Sequence, residues 1–330
     1  MKTEVLPVNE QSLALAKQLI LAGELVAFHT ETVYGLGADA RNDEAVKKVF
    51  EVKGRPQDNP LISHVHTEYD ITPLIDGEPP YAQALRNAFL PGPLTMVYPS
   101  TGRVSKYVSC GLNTLSIRVP ASQSAQAFLR AVNVPIVAPS ANLSKHVSPV
   151  TAEHVLDDFN GKIPLILDGG ACTGGIESTV LDCTGNVPQI LRAGLVTREM
   201  IASVVGACDV YHMAKGEKPK SPGMAYKHYS PRCETVLLKD ADEAIERYFE
   251  EEKKGGVPYL LCTRSPKEGL RVLPLGESGE EMASNLYARL REGERNATLI
   301  IAIEPNERGG VMDGVLNRLT RACKGGEDET

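Results

Sequence analysis

Polar side chains follow many of the apolar runs of this sequence, and their types indicate one class of ligand. Hydroxyls, amides and cations dominate, at residues 29–32, His64, Arg118, 140–142, 168–170, 177–179 and Arg192. Hydroxyls, backbone amides in glycine turns, lysine and arginine are the donors that a polyphosphate or a carboxylate requires. Ligands of open α/β sheets bind at the carboxyl ends of strands. The pattern therefore predicts an anion site at those ends.

The segment Lys53-Gly54-Arg55-Pro56 adds two cations to this set. It follows a predicted helix, and alternate residues of an extended loop project the same way, so the ammonium and the guanidinium can converge on one anion. Pro56 restricts the loop behind them. Taken alone, the segment also fits two solvated cations at a helix C-terminus, where the helix dipole favours positive charge.

Common nucleotide and metal motifs are missing from the sequence. There is no GxxxxGK[ST], GxSxG or HExxH pattern. Gly35 and Gly37, which we expect to lie in a turn, start a GxGxxG pattern that fails at Ala40. His64 and His66 would share one face of a strand, but no third ligand lies near them, so no metal site is predicted.

The elements that must position these residues alternate between helix and strand patterns. Residues 11–22 form a predicted helix, and Asp43 is the predicted N-cap of a second helix that ends near Val52. Short apolar runs favour strands; they are LVAFHT, PLISHV, LTMVYP, TLSIRVP, VPIVAPS, PLILDGG and STVLDCT. Short buried strands between helices predict an α/β domain with a parallel or mixed sheet.

The 330 residues carry a formal net charge of −7 that is unevenly distributed. The stretch 213–232 holds five basic residues and one acidic residue, with three prolines and two glycines, whereas the parts on either side are acidic. Such a composition is typical of a linker. We therefore expect a large α/β domain over 1–212, a basic linker over 213–232 and a small α/β domain over 233–330.

Cysteine usage and the N-terminus indicate the compartment. The seven cysteines are widely spread and include no CxxC pair, which disfavours a disulfide framework or a structural zinc site. Glu4 and Glu10 stand where a signal peptide needs apolar residues, and no apolar run reaches the ~18 residues of a membrane span. We expect a cytoplasmic protein.

An ordered set of motifs resembles the L-threonylcarbamoyladenylate synthases, in their long two-domain form with a YrdC-like catalytic domain. The matching segments are TETVYGLG (30–37), KGRP (53–56), NPL (59–61), PGPLT (91–95), RVP (118–120), PSAN (139–142), ESTV (177–180), ILRAG (190–194), SPGM (221–224) and HYSP (228–231). The resemblance implies a YrdC-like twisted mixed sheet with flanking helices, followed by a smaller Rossmann-like α/β C-terminal domain.

The same resemblance implies a nucleotidyltransferase. Such enzymes combine L-threonine, bicarbonate and ATP, with Mg²⁺ on the phosphates, into L-threonylcarbamoyl-AMP and pyrophosphate. This is the first step of N6-threonylcarbamoyladenosine modification of tRNA next to the anticodon, and a separate threonylcarbamoyl transferase complex uses the product. Direct tRNA binding would be weak or absent, and no membrane partner is expected.

The family's substrate-binding positions carry over to this sequence one by one. Threonine would contact Thr32, His64, Arg118, Ala138 and Ser178, with the Arg118 guanidinium on its carboxylate. ATP would contact Lys53, Arg55, Asn59, Thr114, Ser140, Asn142, Ser148, Arg192 and His228. Lys53 and Arg55 are the expected catalytic residues, because displacement at the α-phosphorus needs charge stabilisation and alignment more than a protein nucleophile.

The resemblance also implies that the linker lies across the cleft as a lid, with three side chains facing the ligand: Tyr226, His228 and Tyr229. Three positions depart from the family's pattern, where proline, histidine and glycine are common; they are His29, Ser122 and Lys145. The loss of glycine at 145 limits positive φ in that loop and leaves the role of Ser148 open.

Two alternatives remain at this point. One is a binding module for double-stranded RNA or tRNA, which the acidic net charge disfavours, since nucleic-acid binders are usually basic. The other is a related carbamoyl transferase that uses carbamoyl phosphate. We would expect an acylphosphatase-like or zinc-finger segment beside such a domain.

Overall fold

The computed structural model describes residues 2–213, 219 and 229–323 and contains two sheets. The larger sheet is built from β1 (Glu4–Pro7), β2 (Val26–Phe28), β3 (Gly35–Asp39), β4 (Ile62–His64), β5 (Leu94–Pro99), β6 (Thr114–Arg118), β7 (Ile136–Val137), β8 (Leu165–Asp168), β9 (Thr179–Asp182), β10 (Gln189–Arg192) and β11 (Asp209–Val210). The smaller sheet is built from β12 (Glu234–Leu238), β13 (Pro258–Cys262), β14 (Val272–Pro274) and β15 (Leu299–Ile303).

Helices cover both sheets. They are α1 (Glu10–Leu21), α2 (Asp43–Lys53), α3 (Ala82–Phe89), α4 (Lys106–Ser109), α5 (Gln123–Val132), α6 (Ala152–Phe159), α7 (Arg198–Val205), α8 (Ala241–Lys253), α9 (Gly279–Glu294) and α10 (Val311–Cys323). None of the helices in the described ranges is long and apolar enough to cross a membrane.

The larger sheet is mixed, as predicted. Its strand order is β1-β8-β2-β3-β7-β4-β6-β5-β9-β10-β11. Strand β3 is antiparallel to β2 and β7, whereas β4 is parallel to β6. Val26 and Phe28 pack under α1 and α5, and Ala27 between them points to the opposite layer with α2 and α6, as the alternation of a strand requires.

The smaller sheet is entirely parallel, with the order β12-β15-β13-β14. Tyr248 of α8 packs against one face, while Leu290 of α9 and Leu319 of α10 belong to the apolar cluster on the other face. That cluster is continuous with the core of the larger sheet. Parallel strands with helices on both faces confirm the expected Rossmann-like architecture. Helices α9 and α10 are therefore sandwiched between the two sheets.

Two local predictions were wrong. Gly35 and Gly37 lie in strand β3 rather than in a turn, because they allow close strand packing: a Cβ on Gly37 would sit 3.0 Å from Val26 O and from Ile136 Cγ2. Helix α2 is capped by Asn42, one residue before the expected Asp43, and the Asn42 side chain accepts from the amides of Glu44 and Ala45.

Most of the predicted linker 213–232 lies outside the described residues, together with Tyr226 and His228 and the segment 324–330. The last strand of the larger sheet ends at Val210, and the first strand of the smaller sheet begins at Glu234. The domain boundaries at 212 and 233 remain predictions.

Candidate active site

A small cavity lies beside β3, β4, β6 and β7 of the larger sheet, with a volume of ≈ 60 Å³. Predicted site residues that line it are Arg55, His64, Arg118, Ala138, Ser140, Asn142, Ser178 and Arg192. His64 and Arg118 are paired at the ends of the parallel strands β4 and β6, as the strand-end argument predicts. Ser140 is positioned in another way. It follows β7, which is antiparallel to β4, and an isolated β-bridge joins it to Gly35. The site thus combines strand ends with a loop that folds back over the sheet.

Arg118 forms the centre of the predicted threonine half. It is 4% exposed, and it donates from Nη1 to Thr32 Oγ1 at 2.8 Å, from Nη2 to Glu31 Oε1 at 2.7 Å and from Nε to Gly92 O at 3.4 Å. A guanidinium has five N–H donors, so two are left for a ligand. Thr32 supports Arg118 from behind rather than lining the cavity. Burial raises the pKa of Glu31, but the Arg118 charge outweighs burial and holds it below its ordinary value.

His64 presents an uncharged ring to the same half of the cavity. Its Nδ1 lies 3.2 Å from Ile62 O, and its ring meets the edge of Phe28 at a centroid distance of 6.0 Å. Burial, and then the charge of Arg118, lower the pKa of His64 to about 3. The imidazole is therefore neutral near pH 7, and the positive charge of this half resides on Arg118.

Ser178 and Ala138 complete the threonine half. The Ser178 hydroxyl lies 2.8 Å from the Thr95 hydroxyl, and both residues are buried. Ala138 N donates to Ile62 O at 3.0 Å, which fixes the backbone of the loop that leads to Ser140. Small side chains at these positions leave room for a compact ligand such as an amino acid.

Lys53 holds the loop that carries Ser140 and Asn142. Its buried Nζ donates to Ser140 O and to Asn142 O, both at 2.5 Å, which leaves one of three ammonium hydrogens. Gly54 caps α2 in the left-handed conformation at φ 62° and turns the chain toward Arg55. Burial, and then Arg55, lower the pKa of Lys53. Lys53 does not line the cavity and contacts it through this loop.

Arg55 reaches the cavity directly. Its Nη2 donates to Asn59 O at 3.1 Å and to Pro60 O at 3.4 Å. Burial lowers its pKa to about 10, so the guanidinium is charged near neutral pH. Among the described residues, Arg55 Nε, Asn59 Oδ1 and Asn142 Oδ1 are buried without a hydrogen-bond partner. Unsatisfied buried polar atoms are costly and require an explanation, which a polar ligand supplies.

Arg192 and Ser148 approach from strand β10 and from the 140–148 loop. Arg192 donates from Nη2 to Ser178 O at 2.9 Å, which joins the two halves of the site. Ser148 lies one layer deeper, and its hydroxyl donates to Glu177 Oε1 at 2.6 Å. The loop keeps its left-handed residue without glycine, because Lys145 itself adopts φ 71°.

Other predicted residues lie apart from the cavity. Thr114 starts β6 opposite Pro99, four residues from Arg118, which is roughly 13 Å along a strand. Asn59 contacts Arg55 through its carbonyl rather than its side chain. His228 is not described, whereas Tyr229, which was expected to face the ligand, does line the cavity.

Sequence reasoning missed two carboxylates of the site, Glu31 and Glu177. Both stand in matched motifs, but a site for anions gave no reason to single out acids. In the structure each pairs with a buried arginine: Glu31 with Arg118 at 2.7 Å, and Glu177 with Arg318 at 3.1 Å. Arg318 comes from helix α10, 141 residues away in sequence. No group of three metal-ligating side chains occurs within the described parts of the chain.

A second and larger cavity of ≈ 520 Å³ lies between β10, α7 and α10, and Arg192 lines both cavities. Ligand pockets usually measure ~300–1,000 Å³, so the first cavity is too small for a nucleotide as it stands. Tyr229 lines the first cavity, with its ring stacked on Tyr287 at a centroid distance of 5.4 Å.

Comparisons with known proteins cover almost the whole chain. A family model described as telomere recombination (Sua5_yciO_yrdC) matches residues 18–194, and one described as threonylcarbamoyl-AMP synthase, C-terminal domain, matches residues 196–323. The chain is 40% identical to a threonylcarbamoyl-AMP synthase of Bacillus subtilis, over 98% of this chain and 96% of the relative. It is 39% identical to that of Pyrococcus abyssi, over 96% and 95%.

Among solved structures, the chain is similar to P. abyssi Sua5 complexed with L-threonine. The TM-score is 0.88 and the identity 38%, over 98% of this chain and 97% of that chain. The similarity includes both sheets, and the relative's bound ligand is an amino acid.

Proposed function

The chain belongs to the threonylcarbamoyl-AMP synthase family, as its motifs predicted, and we propose that the cavity between Arg118 and Arg55 joins L-threonine, bicarbonate and ATP into L-threonylcarbamoyl-AMP with release of pyrophosphate. The observation that carries the proposal is the convergence of three arginines, Arg55, Arg118 and Arg192, on one cavity, where Arg118 keeps two N–H groups for a ligand and Arg55 Nε is buried without a partner among the described residues. The substrates of this reaction are an amino-acid carboxylate, bicarbonate and a triphosphate, which all require such donors.

On the threonine side, Arg118 would hold the carboxylate with its two free N–H groups. Glu31 and Thr32 occupy two others and fix the plane of the guanidinium, so the ligand meets a preorganised fork. Neutral His64 adds no second charge beside the ammonium of threonine. The Ser178 hydroxyl is placed for the side-chain hydroxyl of the amino acid.

On the nucleotide side, Arg55 and Arg192 would carry the charge stabilisation. Lys53 would contribute by holding the loop that presents the Ser140 side chain and Asn142 Oδ1 to ATP. Asn142 donates its Nδ2 hydrogens to Leu143 O and His146 O, which leaves its Oδ1 to accept from a donor on the ligand. A hydroxyl of the ribose or the adenine amino group supplies such a donor.

The reaction then proceeds in two balanced steps. The threonine ammonium first loses a proton to solvent; its amino nitrogen then attacks the bicarbonate carbon, and loss of water, formed from a second nitrogen-bound hydrogen and a hydroxyl of the bicarbonate, gives the N-carboxylate. An oxygen of this carbamate attacks the α-phosphorus of ATP, the bond to the β-phosphate oxygen breaks, and pyrophosphate leaves. Negative charge develops on the leaving pyrophosphate in the transition state. Positioned guanidinium groups stabilise this charge and thereby lower the barrier.

Mg²⁺ would enter with ATP. The described residues offer no cluster of three ligating side chains; Glu177, which lines the cavity, is paired with Arg318, and Glu31 beside it is paired with Arg118. Mg²⁺ commonly keeps its waters and binds substrate phosphates rather than an all-protein cage, so this donor set fits a metal carried by the nucleotide. Bound there, the ion would neutralise phosphate charge.

The wider context follows from the same reaction. Threonylcarbamoyl-AMP carries an activated acyl group, so we propose that it passes to a separate tRNA threonylcarbamoyl transferase complex. The seven cysteines are all unpaired thiols, which supports a cytoplasmic location. An RNA-binding module is not favoured, because three of the site's cations, Lys53, Arg118 and Arg192, are buried rather than spread over a surface.

Pyrophosphate release tests the proposal. It is measured with ATP alone, and then with L-threonine, with bicarbonate and with both, for the natural chain and for a Lys53→Ala, Arg55→Ala double variant. We expect release that needs both small substrates and collapses in the variant. Release that ignores either substrate, or that survives the double substitution, would contradict this assignment.

A further inference from the structure

Glu177 lies where the larger sheet meets helices α9 and α10. It is 7% exposed and lines the cavity, next to Ser178 in sequence. Its Oε1 accepts from the Ser148 hydroxyl at 2.6 Å, and its Oε2 accepts from Tyr287 Oη at 2.9 Å and from Arg318 Nε at 3.1 Å. One buried carboxylate thus joins a predicted nucleotide contact to two residues of the C-terminal helices.

The charge state of Glu177 determines what Ser148 can offer a ligand. Burial alone raises the pKa of Glu177, but Arg318 and Arg192, with the Ser148 hydrogen bond, outweigh burial and hold it below its ordinary value. The ionised carboxylate can only accept, so the Ser148 hydrogen is directed to it. Ser148 is fully buried behind Glu177, which lines the cavity, and toward any further partner its oxygen can act only as an acceptor, which suits a ribose hydroxyl or an amino group rather than a phosphate.

Arg318 makes a second contact with the site. Its Nη1 donates to Ala193 O at 2.7 Å, and Ala193 directly follows Arg192. The Arg318 side chain is fully buried, and its guanidinium lies 5.9 Å from the centre of the Tyr229 ring. A single α10 residue therefore touches the strand that carries Arg192, the carboxylate behind Ser148 and the aromatic ring at the cavity's rim.

Helix α9 also contacts the 140–148 loop. Arg291 donates from Nη2 to Val147 O at 2.5 Å and to Asp158 Oδ2 at 2.8 Å, and Asp158 Oδ2 accepts from Leu143 N at 3.2 Å. The backbone on either side of Lys145 is therefore held from α9. The 140–148 loop, which carries Ser140, Asn142 and Ser148, has no strand of its own and depends on these contacts.

We propose that Tyr287 and Arg318 are positioning residues for the nucleotide half of the site, acting through Glu177 on Ser148 and through Ala193 on Arg192. The inference rests on the proposed function and gives the C-terminal helices a role in it: they set the geometry of the ATP contacts rather than binding a ligand themselves. A purely structural role would change stability without distinguishing ATP from threonine.

Tyr287→Phe is the sharpest test, because it removes one hydroxyl and keeps the ring that stacks on Tyr229. The matched control is Arg295→Gln, which removes exposed ion pairs from the end of α9 to Glu153 and Asp157 on α6 without touching the site. Both variants are compared with the natural chain for pyrophosphate release, for ATP binding by calorimetry and for thermal unfolding.

For Tyr287→Phe we expect the KM and the dissociation constant for ATP to rise about fivefold to tenfold, the range of one buried hydrogen bond, with the KM for threonine unchanged. Because Glu177 loses a donor, its pKa should rise, and the acid limb of kcat/KM for ATP should move to higher pH. Arg318→Lys keeps the charge but cannot reach both partners, so it should raise the ATP values further. Arg295→Gln should match the natural chain.

Unchanged ATP values and an unchanged acid limb in Tyr287→Phe would overturn the inference, as would equal effects on ATP and threonine, or an equal effect of Arg295→Gln. These outcomes differ from failure of the proposed function, in which the natural chain itself releases no pyrophosphate. Thermal unfolding shows that each protein is folded at the assay temperature.

Discussion

Replacement of Arg118 by lysine isolates the contribution of guanidinium geometry to threonine binding. Lysine keeps the positive charge at the end of β6 but offers a point charge instead of a planar fork. Arg118 already donates hydrogen bonds to Glu31, Thr32 and Gly92, which leaves two N–H groups for the carboxylate of threonine. In Arg118→Lys, the three ammonium hydrogens must serve Glu31 and the ligand together, so one of the two parallel bonds to the ligand is lost.

The magnitude follows from the energy of that bond. A hydrogen bond to a charged group contributes about 1.5–3 kcal/mol, and each 1.4 kcal/mol is a factor of ten. The KM for threonine should therefore rise about 10- to 150-fold. The KM for ATP should change little, because the Arg118 hydrogen bonds go to Thr32, Glu31 and Gly92, none of which is a predicted ATP contact.

Pyrophosphate release at varied threonine and saturating ATP measures this effect, and the reverse titration provides the internal control. Arg55→Lys is the matched variant, because it makes the same chemical change in the nucleotide half, where Arg55 donates to Asn59 O and Pro60 O, and it should raise the KM for ATP instead. Equal changes in both KM values for Arg118→Lys, or an unchanged KM for threonine, would refute the assignment of the two halves.

Two further predictions concern the 140–148 loop and the ion pairs that His146 makes with Asp158 and Glu294. Lys145→Gly should raise the free energy of unfolding by about 1 kcal/mol in a urea titration, because a side chain at φ 71° is strained. The control Lys17→Gly, inside α1, should lower it by about as much. A loss of stability in both variants would contradict the prediction for Lys145. Burial lowers the pKa of His146, but Asp158 and Glu294 outweigh it and raise the value above 6.5, so the stabilisation is present below pH 6.5 and is lost as the pH rises through the raised pKa. Unfolding measured across that range should show a steeper loss for the natural chain than for His146→Gln; parallel curves would argue against a charged His146.

Local patterns in the sequence were sufficient for most elements, because amphipathic helices and short buried strands depend on nearby residues. The prediction of a turn at Gly35–Gly37 was wrong for a physical reason. Gly37 allows close packing against Ile136, a contact that the spacing of the sequence does not reveal. The motifs singled out Arg55 and Arg118, and both residues line the cavity. They could not show that Lys53 contacts the ligand site through the carbonyls of a loop 87 and 89 residues away.

Contacts between distant segments account for the rest. Tyr287 and Glu177 are 110 residues apart, and neither residue type suggests the other. Two of the positions that depart from the family's pattern, His29 and Ser122, are in contact, with His29 Nδ1 2.9 Å from Ser122 Oγ. The spacing of the sequence does not reveal this contact; in the fold, His29 lies against Ser122, the N-cap of α5.

The central claim is that one cavity joins threonine, bicarbonate and ATP into a single adenylate. Mass spectrometry of the product formed with isotopically labelled bicarbonate tests it most directly. The account predicts one compound that contains threonine, AMP and the label, and whose formation is abolished in the Lys53→Ala, Arg55→Ala variant. Formation of AMP and pyrophosphate without a labelled adduct, or a labelled adduct formed equally well by the variant, would contradict it.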